Sequence, residues 1–211
     1  MKKLFLTTAL LALIASPVAA ATVTTELRAS ADKGKSPLEY KLDYQAPFFQ
    51  VFPNLNYGAE LTTKQQPNNG TVASKVVGRV GIDLPAVLGF NVGANVQLGR
   101  NLEAATSTTA LVNKVNVTTV TGGDYNIYGA EVNVKRDLVA GIAGDVGYRF
   151  RNGFASKGLD NQETRLNAGL SYEVLPSYNV GVEYYRYSHD INPATGTKLF
   201  SQVAFKVGHS F

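Results

Sequence analysis

Apolar and polar residues alternate one by one along much of this chain. The clearest segment is 38–44, in which Leu38, Tyr40, Leu42 and Tyr44 are separated by Glu39, Lys41 and Asp43. Side chains of a β-strand point alternately to its two faces, so this spacing gives one apolar and one charged face. The segment is therefore predicted to be a strand with two different environments.

Ten segments share this pattern, and we predict ten strands of about 9–13 residues, close to the length that a tilted strand needs to cross a bilayer. In this register no carboxylate lies on the apolar face, whose only ionisable residues are Arg186 and His209. The strand around 128–135 has the least certain register, because it follows a long Thr-rich loop. The alternative of eight strands would leave two clearly alternating segments, one hairpin, outside the barrel. The strands start near Val23, Leu38, Leu55, Val76, Phe90, Tyr128, Ala140, Glu163, Tyr178 and Val203.

The connections between these segments alternate in length. Short ones are predicted near 47–53, 85–88, 136–138 and 175–177, and longer polar ones near 30–37, 64–74, 100–123, 152–161 and 188–197. Short turns on one side and long loops on the other are typical of transmembrane barrels. We therefore predict an all-β fold: a closed antiparallel transmembrane β-barrel of about ten strands in an up-and-down meander.

The first twenty residues have the features of a secretory signal peptide. Lys2 and Lys3 precede an apolar run over 4–14, and the small residues of 16–20 suit cleavage. We predict a signal peptide at 1–20 and a barrel at 21–211. Without the two lysines, the 20 basic residues become 18 against 16 acidic ones, so the barrel is nearly neutral. The sequence has no cysteine for a lipid anchor or a disulfide, and no basic cluster for nucleic acid.

The last nine residues, 203–211, have the most diagnostic pattern. Val203, Phe205, Val207 and Phe211 share one face, and the chain ends on the aromatic residue. This segment resembles the C-terminal signal of bacterial outer-membrane β-barrels, although His209 stands where these usually have Tyr or an aliphatic residue. In overall pattern the chain is similar to the OmpA-like and small porin-like barrels. The resemblance implies a cell outer-membrane location with both termini periplasmic, contact with outer-membrane lipid, and recognition of the last strand by the barrel-assembly machinery.

Alternation alone does not distinguish this barrel from a soluble one whose apolar face points inward. The signal peptide, the terminal Phe211 and aromatic residues near the strand ends favour the membrane. Tyr184 and Tyr187, within the segment 184–187, together with Phe205 and Phe211, are candidates for aromatic girdles at the membrane interfaces. Phe48, Phe49 and Phe52 are expected to anchor the interface opposite to Tyr184.

The inward face supplies the candidate functional residues. Ten strands lie close to the number at which side chains fill a barrel, and eight of the inward positions are glycines. We expect either a narrow passive pore for ions or small solutes, or a filled lumen in a non-conducting structural or surface-interaction barrel. The candidate lumen-lining residues are Glu39, Lys41, Asp43, Arg79, Asp83, Asp145, Arg149, Glu163, Arg165 and Glu183.

The connection 100–123 is the longest, and it is a possible binding site for an extracellular partner. It is expected to be a solvated loop, although 111–117 has a strand-like sequence. His189 and His209 lack the nucleophile and base neighbours that acyl-transfer chemistry needs. The sequence therefore predicts no enzyme, no catalytic residue, no cofactor and no metal site.

Overall fold

The computed structural model describes residues 21–31, 38–49, 52–65, 72–102, 106–112, 115–121, 124–139, 141–154, 160–190 and 197–211. The predicted signal peptide, 1–20, lies outside these residues. Twelve strands are present in the described part of the chain. They are β1 (Thr22–Ser30), β2 (Glu39–Phe49), β3 (Phe52–Gln65), β4 (Val72–Val87), β5 (Phe90–Leu102), β6 (Thr106–Val112), β7 (Val115–Thr121), β8 (Tyr125–Val139), β9 (Ile142–Phe154), β10 (Asp160–Leu175), β11 (Tyr178–Asp190) and β12 (Thr197–Ser210).

Ten of these strands form one closed antiparallel barrel, in which each strand pairs with its neighbour in the meander. Closure occurs between the first and last strands, where Leu27 of β1 lies opposite Phe205 of β12. On its other side Leu27 lies opposite Tyr40 of β2. The predicted fold class is thus confirmed, and the strand with the least certain register, now β8, pairs with β5 and β9 as the alternation requires.

We call the end of the barrel with the short turns and both described chain ends the turn end, and the opposite end the loop end. At the turn end, Leu88 and Gly89 join β4 to β5 with φ angles of 54° and 78°. Two consecutive positive φ values match the right-handed twist of a hairpin. Gly89 accepts its positive φ without strain, because glycine has no Cβ. The turn end is therefore built from tight hairpins.

Two predicted connections differ from the structure. The turn expected at 136–138 was wrong, because β8 continues to Val139 and pairs there with Ile142 of β9. The solvated loop expected within 100–123 was also wrong, since β6 and β7 form a separate two-stranded sheet closed by Val112 opposite Val115. The strand-like sequence 111–117 spans the end of one strand and the start of the next. A two-stranded ladder between Thr-rich segments leaves little apolar periodicity to detect.

The outer face of the barrel is apolar and the inner face is polar. Leu98 is 72% exposed and Phe205 60% exposed, whereas Glu60, Gln97 and Arg165 are buried inside. A closed barrel satisfies the backbone hydrogen bonds of every strand, which is the condition for β structure to cross hydrocarbon. This distribution of side chains is that of a transmembrane barrel. No helix in the described ranges is long and apolar enough to cross a membrane.

An outward arginine tests this assignment of the two faces. Val182 of β11 is 48% exposed, and it pairs with Leu170 and Phe205 on the apolar face. We expect Val182→Arg to destabilise the barrel folded into lipid by about 2–4 kcal/mol, the effect of a lipid-facing arginine near the bilayer midplane. Refolding yield into vesicles, read from gel mobility without boiling, measures it.

The matched control is Ser171→Arg, because Ser171 lies inward beside the turn end and pairs with Gly181. We expect this second variant to fold with nearly the yield of the unmodified protein. Equal yields for both variants would mean that the apolar face does not meet lipid.

Candidate functional site

The inward side chains form a connected network of ion pairs that begins on β1 and β2. Glu26 accepts hydrogen bonds from Arg28 Nη2 at 2.6 Å, from Lys41 Nζ at 3.0 Å and from Tyr185 Oη at 3.0 Å. Lys41 also lies 3.0 Å from Asp43, which in turn pairs with both terminal nitrogens of Arg79. All six side chains are directed inward because they share the inward positions of their strands.

A second part of the network crosses the lumen. Arg151 of β9 donates to both carboxylate oxygens of Glu60 on β3, at 2.9 and 3.0 Å. Its Nε donates to Gln97 of β5 at 2.6 Å. In the barrel order, β3 and β9 lie four strands apart, nearly on opposite walls. These bonds therefore bridge the barrel rather than join neighbouring strands.

The two parts meet where Lys41 Nζ lies 3.6 Å from Glu60. We call the layer made by Glu26, Lys41, Glu60, Gln97 and Arg151 the septum. All five side chains are buried. Charged groups out of bulk water require close partners of opposite sign, and each charged member of the septum has at least one. The septum closes the lumen with side chains alone.

A polar cavity lies on each side of the septum. The turn-end chamber, of about 220 Å³, lies between the septum and residues such as Asn56, Asp83 and Asp145. The loop-end chamber, of about 140 Å³, lies between the septum and residues such as Lys64 and Phe200. No described residue lines both cavities. On either side of the septum, the described residues thus line two small polar spaces divided by one layer of side chains.

The inward glycines are covered by polar side chains from neighbouring strands. A Cβ added at Gly58 would lie 2.6 Å from Arg79 Nε and 2.4 Å from the carbonyl oxygen of Tyr44. At Gly93 the added atom would meet Asn133 and Asp83 within 2.8 Å. At these two positions the space that the glycine provides is filled by polar side chains, instead of widening the lumen.

The candidate lumen-lining residues divide between the two chambers. Lys41, Asp43, Arg79, Asp83, Asp145, Arg165 and Glu183 line the turn-end chamber. Glu39, Arg149 and Glu163 line the loop-end chamber. Arg149 Nη2 donates to Glu163 at 2.5 Å, Arg165 Nη2 donates to Glu131 at 2.5 Å, and Glu183 pairs with Lys206. Asp83 accepts a hydrogen bond from Asn56 at 2.7 Å.

Several central residues were absent from the candidate set. Glu26, Glu60, Gln97 and Arg151 occupy inward positions of their strands, so alternation had placed them on the correct face. Their central role depends on contacts across the barrel, and residues 60 and 151 are 91 positions apart in the chain. A charged residue in the middle of an inward face is the one signal that could have marked them.

Tyr187 does not belong to the outer aromatic girdle, so this prediction was wrong. It is 4% exposed, stacks on Phe200 with ring centres 4.7 Å apart, and accepts a hydrogen bond from Arg28 Nη1. Position 187 is two positions after the inward Tyr185, so it shares the inner face. Tyr184 is exposed on the outer face, where its hydroxyl donates to Ser201 at 2.9 Å.

The other girdle candidates, Phe205 and Phe211, are exposed on the outer face, as is Phe48. Phe49 and Phe52 belong to β2 and β3, but their side chains lie outside the described set. His209, the departure from the usual C-terminal signal, lies between Tyr178 and Phe211, with ring centres 4.2 and 4.4 Å away. The imidazole thus completes a small ring cluster at the turn end.

Within the described ranges, no group of three or more His, Asp or Glu side chains is arranged to hold a metal ion. Most of the charged side chains that the structure describes in the lumen form ion pairs with one another, and this arrangement is suited to closing or regulating a passage.

Comparisons with known proteins agree with the fold. No protein-family model matches the chain, and no curated protein matches it in sequence. Among solved structures, the COG4313 outer membrane channel from Pseudomonas putida F1 has a TM-score of 0.52 and 10% identity, over 93% of this chain and 97% of that one. The KdgM porin has a TM-score of 0.45 and 10% identity over 90% and 99%. The outer membrane protease OmpT from Escherichia coli has a TM-score of 0.44 and 9% identity, over 92% of this chain and 94% of that one. At these sequence identities, the match to the COG4313 channel shows the barrel fold alone. The predicted similarity to OmpA-like barrels is more specific than this match supports.

Proposed function

We propose that this protein is an integral outer-membrane β-barrel that acts as a narrow passive pore for ions or small solutes. The observation that carries the proposal is the pair of polar chambers on either side of the septum. In a barrel with a completely packed interior, these spaces would be filled by side chains. The turn end faces the periplasm with both termini, and the loop end faces the outside.

The apolar outer face supports a lipid environment, and the last strand, β12, is available to the barrel-assembly machinery during insertion. The prediction that the chain is not an enzyme stays a prediction. We expect no cofactor, because a passive pore needs none.

The septum explains why the pore is narrow and how it can open. It consists of side chains, whereas the surrounding wall is a continuous hydrogen-bonded ladder. Side chains such as Lys41 and Arg151 change rotamer on a nanosecond scale when exposed, and more slowly when paired. Breaking the contact between Lys41 and Glu60 would join the two chambers without moving a strand. Passage is therefore expected for small ions and excluded for large solutes.

Ion flux and sugar retention in the same vesicles test the proposal. The mature protein is refolded into liposomes loaded with potassium chloride and with the trisaccharide raffinose. We expect rapid loss of potassium and chloride, with raffinose retained for the same period. Vesicles that retain all solutes although the protein is fully folded and inserted would contradict the proposal.

A second candidate function is a non-conducting surface-interaction barrel. The specific observation is the separate sheet of β6 and β7, which lies in the connection 100–123 between β5 and β8 at the loop end. This function requires that removal of 103–123 abolishes binding of an extracellular partner and leaves ion flux unchanged. Normal partner binding by the deletion variant would exclude it.

A further inference from the structure

The two chambers differ in the sign of their charge. The described residues that line the loop-end chamber include five basic side chains and three acidic ones; those of the turn-end chamber include four basic and six acidic. The barrel as a whole is nearly neutral, so the charge is separated along its axis. Field lines are concentrated in narrow, low-dielectric clefts, and the loop-end chamber therefore attracts anions.

The acidic side chains of the loop-end chamber are already engaged. Glu60 accepts both hydrogen bonds from Arg151, and Glu163 accepts one from Arg149 Nη2 and lies 3.6 Å from Lys75. Glu39 lies 3.8 Å from Arg28. The excess of positive charge in this chamber is therefore not balanced by a free carboxylate among the residues that line it.

Arg149 provides unused donors in this chamber. Its side chain is 2% exposed, yet its Nε and Nη1 have no hydrogen-bond partner among the described residues. The closest charged group to Nη1 is Glu60 Oε2 at 3.7 Å, beyond hydrogen-bonding distance. A buried guanidinium with open N–H groups is costly unless a ligand or water satisfies it. Nε and Nη1 lie on different edges of the guanidinium, so each can donate separately to an oxygen of a carboxylate or phosphate.

Lys64 adds a further positive charge. It lines the same chamber and makes no ion pair with any described residue. The chamber volume of about 140 Å³ has room for a small oxyanion with a few water molecules. We propose that the loop-end chamber is a binding site for small oxyanions, such as inorganic phosphate or a short carboxylate, with Arg149 as the principal donor and Lys64 as a supporting charge.

Arg165 offers an internal control. It resembles Arg149 in burial, in a 2.5 Å bond from Nη2 to one glutamate, and in open Nε and Nη1 groups. It differs in its surroundings, because it lines the turn-end chamber with its excess of acids. If an incompletely bonded arginine were sufficient for anion binding, both arginines would respond to phosphate. If the charge of the chamber decides, only Arg149 responds.

The test uses the ¹H–¹⁵N signals of the arginine Nε groups of the folded protein in detergent micelles, with inorganic phosphate as the probe and chloride at matched ionic strength as the reference. Conservative Arg149→Lys and Arg165→Lys variants assign the two signals. We expect a saturable shift of the Arg149 signal and no shift of the Arg165 signal. No shift at Arg149, or equal shifts at both, would overturn the proposal.

Two lysine variants extend the test without breaking an ion pair among described residues. Lys64→Gln is expected to weaken phosphate binding several-fold, whereas Lys135→Gln, at the turn end, is expected to leave it unchanged. Equal affinity in the Lys64 variant would remove its supporting role and contradict the proposed site. The site rests on the proposed function only in that the loop end is open to the outside solution. The NMR signals are read whether or not the barrel conducts, so failure of either proposal is recognised separately.

Discussion

Glu60→Gln is expected to lower the free energy of unfolding by about 3–5 kcal/mol, the range for removing one partner of a buried ion pair. Glu60 is the acceptor for both bonds of Arg151, and Lys41 and Arg149 lie within 3.7 Å of it. The amide has no negative charge to offset these three cations. Because the chain contains no Trp, unfolding in urea is followed by circular dichroism and by gel mobility without boiling.

The control for this variant is Asp124→Asn. Asp124 pairs with Arg100 at 3.1 Å, but both side chains are about half exposed. Exposed pairs contribute about 0–1 kcal/mol, so the unfolding midpoint should hardly change. A loss at Glu60 no larger than that at Asp124 would mean that the septum is solvated and does not hold the barrel together.

Arg151→Ala is expected to raise the single-channel conductance several-fold. The guanidinium donates the hydrogen bonds that join β9 to Glu60 on β3 and to Gln97 on β5, so its removal takes the largest side chain of the septum out of the lumen. Alanine leaves the strand backbone and its ladder in place. Planar-bilayer recording of the variant and of the unmodified protein, under the same salt and voltage, measures the change.

Arg100→Ala is the matched arginine control, because Arg100 is exposed outside the lumen and pairs only with Asp124 among the ion pairs described. Its conductance should equal that of the unmodified protein. A folded Arg151 variant with unchanged conductance would show that the septum does not limit the passage of ions.

Much of the fold was predictable from local sequence, because alternation of period two is a property of each strand by itself. The sequence 38–44 is sufficient to give both faces of β2, and the inward position of Lys41 follows from that of Glu39 and Asp43. The strand ends were less predictable. β8 continues through 136–138 although the apolar face there includes Arg136, whose guanidinium lies over the ring of Phe90.

The partners inside the lumen were not predictable. Neighbouring pairs such as Glu26 and Lys41 follow from strand order, and they lie directly opposite each other in β1 and β2. The bond between Glu60 and Arg151 follows only from closure of the barrel and from the length of the arginine side chain. The prediction for Tyr187 failed for a different reason. It was assigned to the outer girdle because it is aromatic, although its position beside the outward Arg186 places it on the inner face.

Single-channel recording of the unmodified mature protein in a planar bilayer shows directly whether the barrel conducts ions. We predict a small, steady current that increases with salt concentration, because two polar chambers are separated by one side-chain layer. Reproducible insertion without any current, at every voltage and salt concentration tried, would contradict ion conduction and would identify the barrel as a filled one.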